Sequence, residues 1–277
     1  MRTLLTSAKG AAIALALSVV GASTSQAQLS ERIDNRPAAR RAADSASAAP
    51  ASWRDRVSVV VRYDRFQPAG HSQFFTLVDR ALSPGAGAIH PALFTGELRL
   101  RLGTRWELVG GGETGGTTVA SSSIARPAGS SSDVHQSTSL DLTNTEYLGA
   151  NWLAWRWSRG EVAGADRLRV KVGAGAGLSS YRLRQVGEFV DVQRDVTFHD
   201  DLRSAGRGTF TYLSAAAEAP LRPWLSLEAD LRRRAGSAPM NADYASFDRI
   251  DMSGYSFGLG VQLQPFNAFA RHGERRH

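Results

Sequence analysis

Two short stretches of this 277-residue chain hold residue types that could do chemistry. In SSSDVHQSTS, one residue separates His135 from Ser137. An imidazole base beside a hydroxyl nucleophile is what ester hydrolysis needs, provided a carboxylate orients the base. The second stretch is His199-Asp200-Asp201, a base next to two carboxylates of the kind peptide hydrolysis can use. The first triplet sits in a Ser-rich segment read as a loop, and spacing assigns it no carboxylate, so no catalytic residue is expected, with His135 and Ser137 kept as the alternative. The other histidines, at 71, 90, 272 and 277, make no pair with metal-ligand spacing on a helix, and the chain has no cysteine. Gly173-x-Gly175-x-Gly177 departs from the G-x-G-x-x-G phosphate fingerprint and has no Lys-Ser/Thr pair after it. Neither metal nor cofactor is expected.

The more frequent chemistry is ionic, and it comes at regular spacing. In LRVKVGAGAGLSS, Arg169, Lys171 and three glycines occupy one parity, while Leu168, Val170, Val172, Ala174, Ala176 and Leu178 occupy the other. A period of two places successive side chains on opposite faces of a strand. The pattern recurs at Val57–Asp64, Glu97–Leu102, Trp106–Glu113, Glu146–Trp157, Thr209–Ala219, Leu225–Arg232 and Gly254–Phe266, which makes eight strands. Most are near the roughly 9 to 11 residues that a tilted strand needs to cross a bilayer. Three connections are short. The other four, at 67–92, 114–144, 182–207 and 234–252, are long and polar, and the two kinds alternate. Short periplasmic turns opposite longer extracellular loops characterise transmembrane barrels.

In such a barrel the apolar parity faces lipid. Arg169 or Lys171 facing lipid at midplane would each cost about 2–4 kcal/mol, so the charged parity turns inward. Carried round the strands, this gives a lumen network of Arg62, Asp64, Glu97, Arg99, Arg101, Glu107, Arg169, Lys171, Glu218, Glu228, Asp230 and Arg232. The inward glycines, including Gly258 and Gly260, are expected to leave room for long charged side chains. An aromatic belt is expected at the turn end from Trp53, Trp106, Trp155, Trp157, Trp224 and Phe266. A second is expected at the loop end from Tyr63, Phe66, Tyr147, Tyr181, Phe210, Tyr212 and Tyr255.

The ends of the chain read differently. Arg2 and Lys9, the apolar run Ala11–Val20 and Ser25-Gln26-Ala27 form a signal peptide over 1–27. Residues 28–52, rich in Ala, Arg and Ser, read as a flexible periplasmic leader. The barrel is expected over 53–266, with a basic tail at 267–277. No stretch is apolar enough over about 20 residues for a membrane helix. The formal charge of +7 suits contact with anionic lipid or lipopolysaccharide. Nucleic acid is excluded as a partner by export.

The chain resembles the small eight-stranded outer-membrane barrels of the OmpA/OmpX-like class over residues 54 to 266. The strand carrying Tyr255, Phe257, Leu259, Val261, Leu263 and Phe266 resembles the C-terminal strand read by the barrel-assembly machinery, except that NAFARHGERRH follows the aromatic. The resemblance implies an all-β, up-and-down antiparallel barrel in the cell outer membrane of a Gram-negative bacterium. It implies a monomer that is non-enzymatic and binds ligands through its extracellular loops. Two alternatives stay open. Lipid A deacylases share the eight-stranded form and carry a His-x-Ser element, which His135 and Ser137 would supply. A porin-like narrow channel for small solutes is the other. Outer-membrane proteases, which a His-Asp pair could suggest, resemble larger barrels.

Overall fold

The computed structural model describes residues 56–124, 134–158, 166–191, 193–247 and 249–265. The expected signal peptide, leader and basic tail, with Trp53 and Phe266, lie outside these residues.

Eight long strands follow one another: β1 Val57–Pro68, β2 Ala92–Leu102, β3 Trp106–Ser123, β4 His135–Ser158, β5 Asp166–Asp191, β6 Val196–Arg222, β7 Leu225–Pro239 and β8 Gly254–Leu263. Each pairs antiparallel with its sequence neighbour, and β8 pairs with both β7 and β1, closing the sheet into a ring. Closure leaves no edge within the barrel, the condition for a sheet to stand in hydrocarbon. No helix among the described residues is long and apolar enough to cross a membrane.

The wall alternates as its sequence dictates. Val61, Tyr63, Phe94, Leu98, Leu148, Leu213, Leu231, Phe257 and Leu259 point outward and are more than half exposed. Arg62, Asp64, Glu97, Arg99, Lys171, Glu228, Asp230 and Arg232 point inward and are buried. Such a surface would be insoluble in water, and lipid is the medium that satisfies it.

Two expectations about the loops are corrected. Most of 114–144 and 182–207 is strand: β3 and β4 pair out to Ser122 opposite His135, and β5 and β6 out to Asp191 opposite Val196. Within these extensions the polarity inverts. Leu140, Leu142, Tyr181 and Leu183 are buried on the inside, whereas Asp141, Arg182 and Arg184 sit on the outside. Beyond the bilayer the outside meets water and the inside becomes a core, so the strand keeps its period and exchanges its faces. A bulge in β4 between Thr143 and Glu146, with Asn144 at φ 49°, also shifts parity along that strand.

The other two long connections fold largely outside the ring, although β7 runs on to Pro239 and a short strand, Arg249–Asp251, pairs with its end. Between β1 and β2 runs helix α1, Gln73–Ala81, whose first turn is capped by Ser72 Oγ accepting from Phe75 N. Its Phe74, Phe75 and Val78 pack with Phe66, Leu82, Ile89, Leu93, Leu140, Leu142, Tyr181, Leu183, Tyr244, Ile250 and Met252. This apolar cluster stops the loop end of the barrel. Phe74 stands edge-on to Phe75, Tyr244 and Phe247 at ring separations of 5.4, 5.6 and 6.4 Å.

Candidate functional site

The lumen is filled in layers. Arg62 is ringed by carboxylates, its guanidinium 2.8 Å from Asp64 Oδ1, 3.2 Å from Glu97 Oε1 and Glu228 Oε1, and 3.4 Å from Asp230 Oδ1. Arg99 donates to Glu97 Oε2 and Glu228 Oε2 at 2.5 Å each. Thr95 Oγ1 donates to Asp64 Oδ2 at 2.5 Å, and Tyr147 Oη donates at 2.7 Å to Glu97 Oε1, the oxygen that Arg62 also approaches. Paired and hydrogen-bonded in this way, the charges tolerate burial that isolated ions would not.

Toward the loop end, Arg232 bridges Glu97 and Glu113 at 2.7 and 2.8 Å and lies 4.7 and 4.5 Å from the rings of Tyr147 and Tyr212, which stand edge to face 5.4 Å apart. Arg234 pairs with Glu113 and lies 5.3 and 5.4 Å from the rings of Phe66 and Phe210. A cation over an aromatic face gains most when both are desolvated, as here. Toward the turn end, Lys171 Nζ sits 2.8 Å from both Glu107 and Glu218, Arg169 reaches Glu218 at 3.1 Å, and Arg101 approaches Glu107 at 3.8 Å. Gln262 accepts from Lys171 at 3.5 Å and donates to Ser58 Oγ at 3.0 Å.

All twelve charged residues named from the sequence therefore lie inside the ring. Arg101 and Arg169 stand at its turn-end mouth with side chains 34% and 21% exposed, and the other ten are buried. The network expected from the sequence lacks Glu113, which ends the strand Trp106–Glu113 on the parity of Glu107, and Arg234, which shares the parity of Arg232 but lies beyond the expected end of Leu225–Arg232. With these two, seven cations meet seven carboxylates.

The aromatic expectations divide. Trp106, Trp155 and Trp157 are exposed on the outside and Trp224 is half-buried. In the loop-end belt only Tyr63 and Tyr255 face outward. Phe66, Tyr147, Tyr181, Phe210 and Tyr212 are buried, which corrects their assignment to the belt. Inward glycines serve these rings. A Cβ on Gly175 would lie 2.6 Å from Tyr212, and one on Gly111 2.7 Å from Tyr147. Gly173 and Gly177 back onto Asn151 with Ser214 and onto Tyr147 with Phe210, so the expectation that they make room for Arg and Glu is overturned there. It does describe Gly258, where a Cβ would meet the Asp64 carboxylate and Arg62 Cδ, the latter at 2.8 Å, whereas Gly260 backs onto the β1 backbone at Val61 and Arg62. On β8, Tyr255, Phe257 and Leu259 are exposed outward, while Val261 and Leu263 are partly covered.

The candidate catalytic residues are not assembled. His135 and Ser137 occupy the first residues of β4 rather than a loop, and His135 Nδ1 is 3.1 Å from Ser122 Oγ, a different serine. His199, Asp200 and Asp201 also lie on a strand, in the β5–β6 extension. Asp201 is taken up by Arg184, at 2.8 Å, and by Arg203, whose hydrogen bonds hold its carboxyl well below the usual carboxylate range. No cluster of three or more His, Cys, Asp or Glu suited to a metal occurs among the described residues.

A ring that is ionic within and leucine-lined without has the polarity of a barrel standing in lipid, the reverse of a soluble one. The protein is an eight-stranded β-barrel with a wall built for lipid. Its architecture resembles the small OmpA/OmpX-like barrels. No family model and no curated protein matches the chain. Among solved structures it is similar to the N-terminal barrel domain of Pseudomonas aeruginosa OprF, at 11% identity and TM-score 0.32 over 76% of this chain and 96% of that one. It is also similar to Neisserial surface protein A, at 12% and 0.37 over 75% and 96%. A third is a major outer membrane protein of Thermus thermophilus, at 10% and 0.40 over 75% and 98%.

Proposed function

We propose that this protein is a closed barrel that mounts a binding platform at the cell surface and catalyses no reaction. The observation that carries this reading is the filled interior. An ion-pair layer around Arg62 lies beneath an aromatic layer around Arg232, and the apolar cluster around Phe74 closes the loop end. Side chains suffice to fill a barrel of eight strands, which speaks against a steady solute path. Above the apolar band, β5 and β6 continue as a two-stranded ribbon over Glu188–Asp191 and Val196–His199, where neither β4 nor β7 pairs with them. Protruding segments on a rigid scaffold are where binding function resides. Envelope, host or environmental ligands would be met there.

Outer-membrane lipid and lipopolysaccharide are the immediate partners in this reading. Arg65, Arg182, Arg207 and Arg233 face outward on the loop-end half of the wall, and Arg233 lies 5.8 Å from the Tyr255 ring. Guanidinium groups at that level suit phosphorylated headgroups. β8 would serve the assembly machinery as its recognition strand, and the barrel would act as a monomer.

The test pairs two measurements. Planar-bilayer recording of the purified protein is expected to show no steady conductance; a stable open channel would overturn the closed reading. Replacing residues 188–199 by an Asn-Gly turn is expected to leave heat-modifiable gel migration intact and to abolish ligand capture by expressing cells. Capture equal to wild type would move the platform elsewhere. For the hydrolase alternative, Ser137→Ala is expected to leave lipid A acylation unchanged.

A further inference from the structure

Among the described residues the lumen balances its charges, whereas the lining of its turn-end mouth is mostly cationic. A cavity of about 210 Å3 opens there, lined by Arg101, Arg105, Arg156, Arg169 and Lys171 together with Glu107, Thr104, Trp106 and Leu153. Among the described residues, five cationic side chains and one carboxylate line it, with Glu218 behind. The floor is fixed: Lys171 is clamped at 2.8 Å by both Glu107 and Glu218, and Arg169 reaches Glu218 at 3.1 Å. With both carboxylates engaged at the floor, the guanidinium groups of Arg101 and Arg105 add positive charge at the opening. Arg101 is 3.8 Å from Glu107, and Arg105 and Arg156 are exposed at the rim. Arg156 is held in place by its Nη2 donating to Thr104 O at 2.6 Å, which ties it to the β2–β3 turn.

From this geometry we propose that the turn-end mouth is a binding site for a phosphate group. Guanidinium forks match phosphate oxygens bidentately, and several of them round one opening with low-dielectric walls concentrate an anion far above its bulk level. Leu153 adds an apolar patch on one side, so a substituted phosphate is accommodated as well as the free ion. The site ends blind on the Lys171 floor and therefore retains the anion. It is independent of the surface role proposed for the loop end.

The experiment uses the full mature chain folded in phosphatidylcholine nanodiscs at low ionic strength, titrated with inorganic phosphate by calorimetry. A second arm places the protein in nanodiscs containing phosphatidylglycerol and follows phosphorus resonances of the lipid. The variant is Arg101→Gln with Arg105→Gln, and Arg182→Gln at the opposite end is the control; unchanged heat-modifiable migration verifies the fold of both. Saturable binding that weakens tenfold or more in the double variant, and not in the control, supports the site. Binding of inorganic phosphate assigns the source to a free phosphate, whereas perturbation of phosphatidylglycerol alone assigns it to a lipid headgroup. No saturable binding in either arm, or binding equal in the double variant and wild type, overturns the proposal.

Discussion

Replacing Arg62 by Met is the sharpest test of a dry, ion-paired lumen. Arg62 lies within 3.4 Å of carboxylate oxygens on Asp64, Glu97, Glu228 and Asp230, and its side chain is 1% exposed. Methionine keeps much of the stem volume and removes the charge, so four carboxylates lose a shared cation, with Arg99 and Arg232 left to serve them. Removing one partner of a buried ionic cluster costs about 3–5 kcal/mol. At 1.4 kcal/mol per decade, that is a fall of about two to three and a half decades in the folded-to-unfolded ratio. The exposed pair Arg207–Glu146, 3.8 Å apart with side chains 53% and 73% exposed, supplies the internal comparison. Arg207→Gln is expected to cost about 1 kcal/mol or less. Both variants would be unfolded by urea in lipid vesicles, followed by tryptophan fluorescence and by the mobility of unheated samples. Raised salt is expected to erase the Arg207 effect and leave the Arg62 effect. If Arg62→Met comes within about 1 kcal/mol of wild type, the interior is hydrated and the layered lumen described above is wrong.

Three further outcomes follow from other parts of the molecule. Leu98→Arg places a cation on the lipid face at a position 58% exposed, and is expected to cost about 2–4 kcal/mol in bilayers; a neutral result would remove Leu98 from the hydrocarbon zone. Phe74→Ala empties the centre of the loop-end cluster at a cost of about 3–5 kcal/mol. Proteolysis is expected to cut α1 and the neighbouring loops faster while the barrel still migrates as folded. Asp201, held down by Arg184 and Arg203, is expected to titrate below the free value of about 3.9. Its ionic contacts are thus complete above that value and are lost as the pH falls through the depressed one. Arg184→Gln is expected to move the carboxyl-carbon NMR midpoint upward, and an unmoved midpoint would show that this pair does not form in solution.

Much of the wall is legible from parity alone. Leu168 to Leu178 and Tyr255 to Leu263 leave one consistent assignment of faces once lipid is the outer medium. The ring order also follows from short turns joining neighbours. The same rule would have sent Tyr181 inward with Lys171, and Phe210 and Tyr212 inward with Glu218. Those rings were instead assigned by their height along the strand, which carries no information about face. The extensions of β3 to β6 were illegible for a physical reason. Their outer face is largely polar and their inner face mixes Leu140, Leu142 and Leu183 with buried Gln136, Thr138 and Gln185, so a search for lipid-facing periodicity ends at the membrane border. Parity also cannot say which charges meet. Arg62 finds Glu228, 166 residues away, through the stagger of strands round the ring, and no local pattern encodes that stagger.

The loop-end cluster has a thermal consequence. Most of the wall exchanges one hydrocarbon neighbour for another when it forms in a membrane, but Phe74, Ile89, Leu140 and Ile250 leave water when they gather. Apolar groups withdrawn from water carry a large heat-capacity change, and their cohesion fades toward low temperature. Chilling is therefore expected to loosen the outward-facing lid before the staves beneath it give way, which makes the end presented to the surroundings the part most responsive to cold.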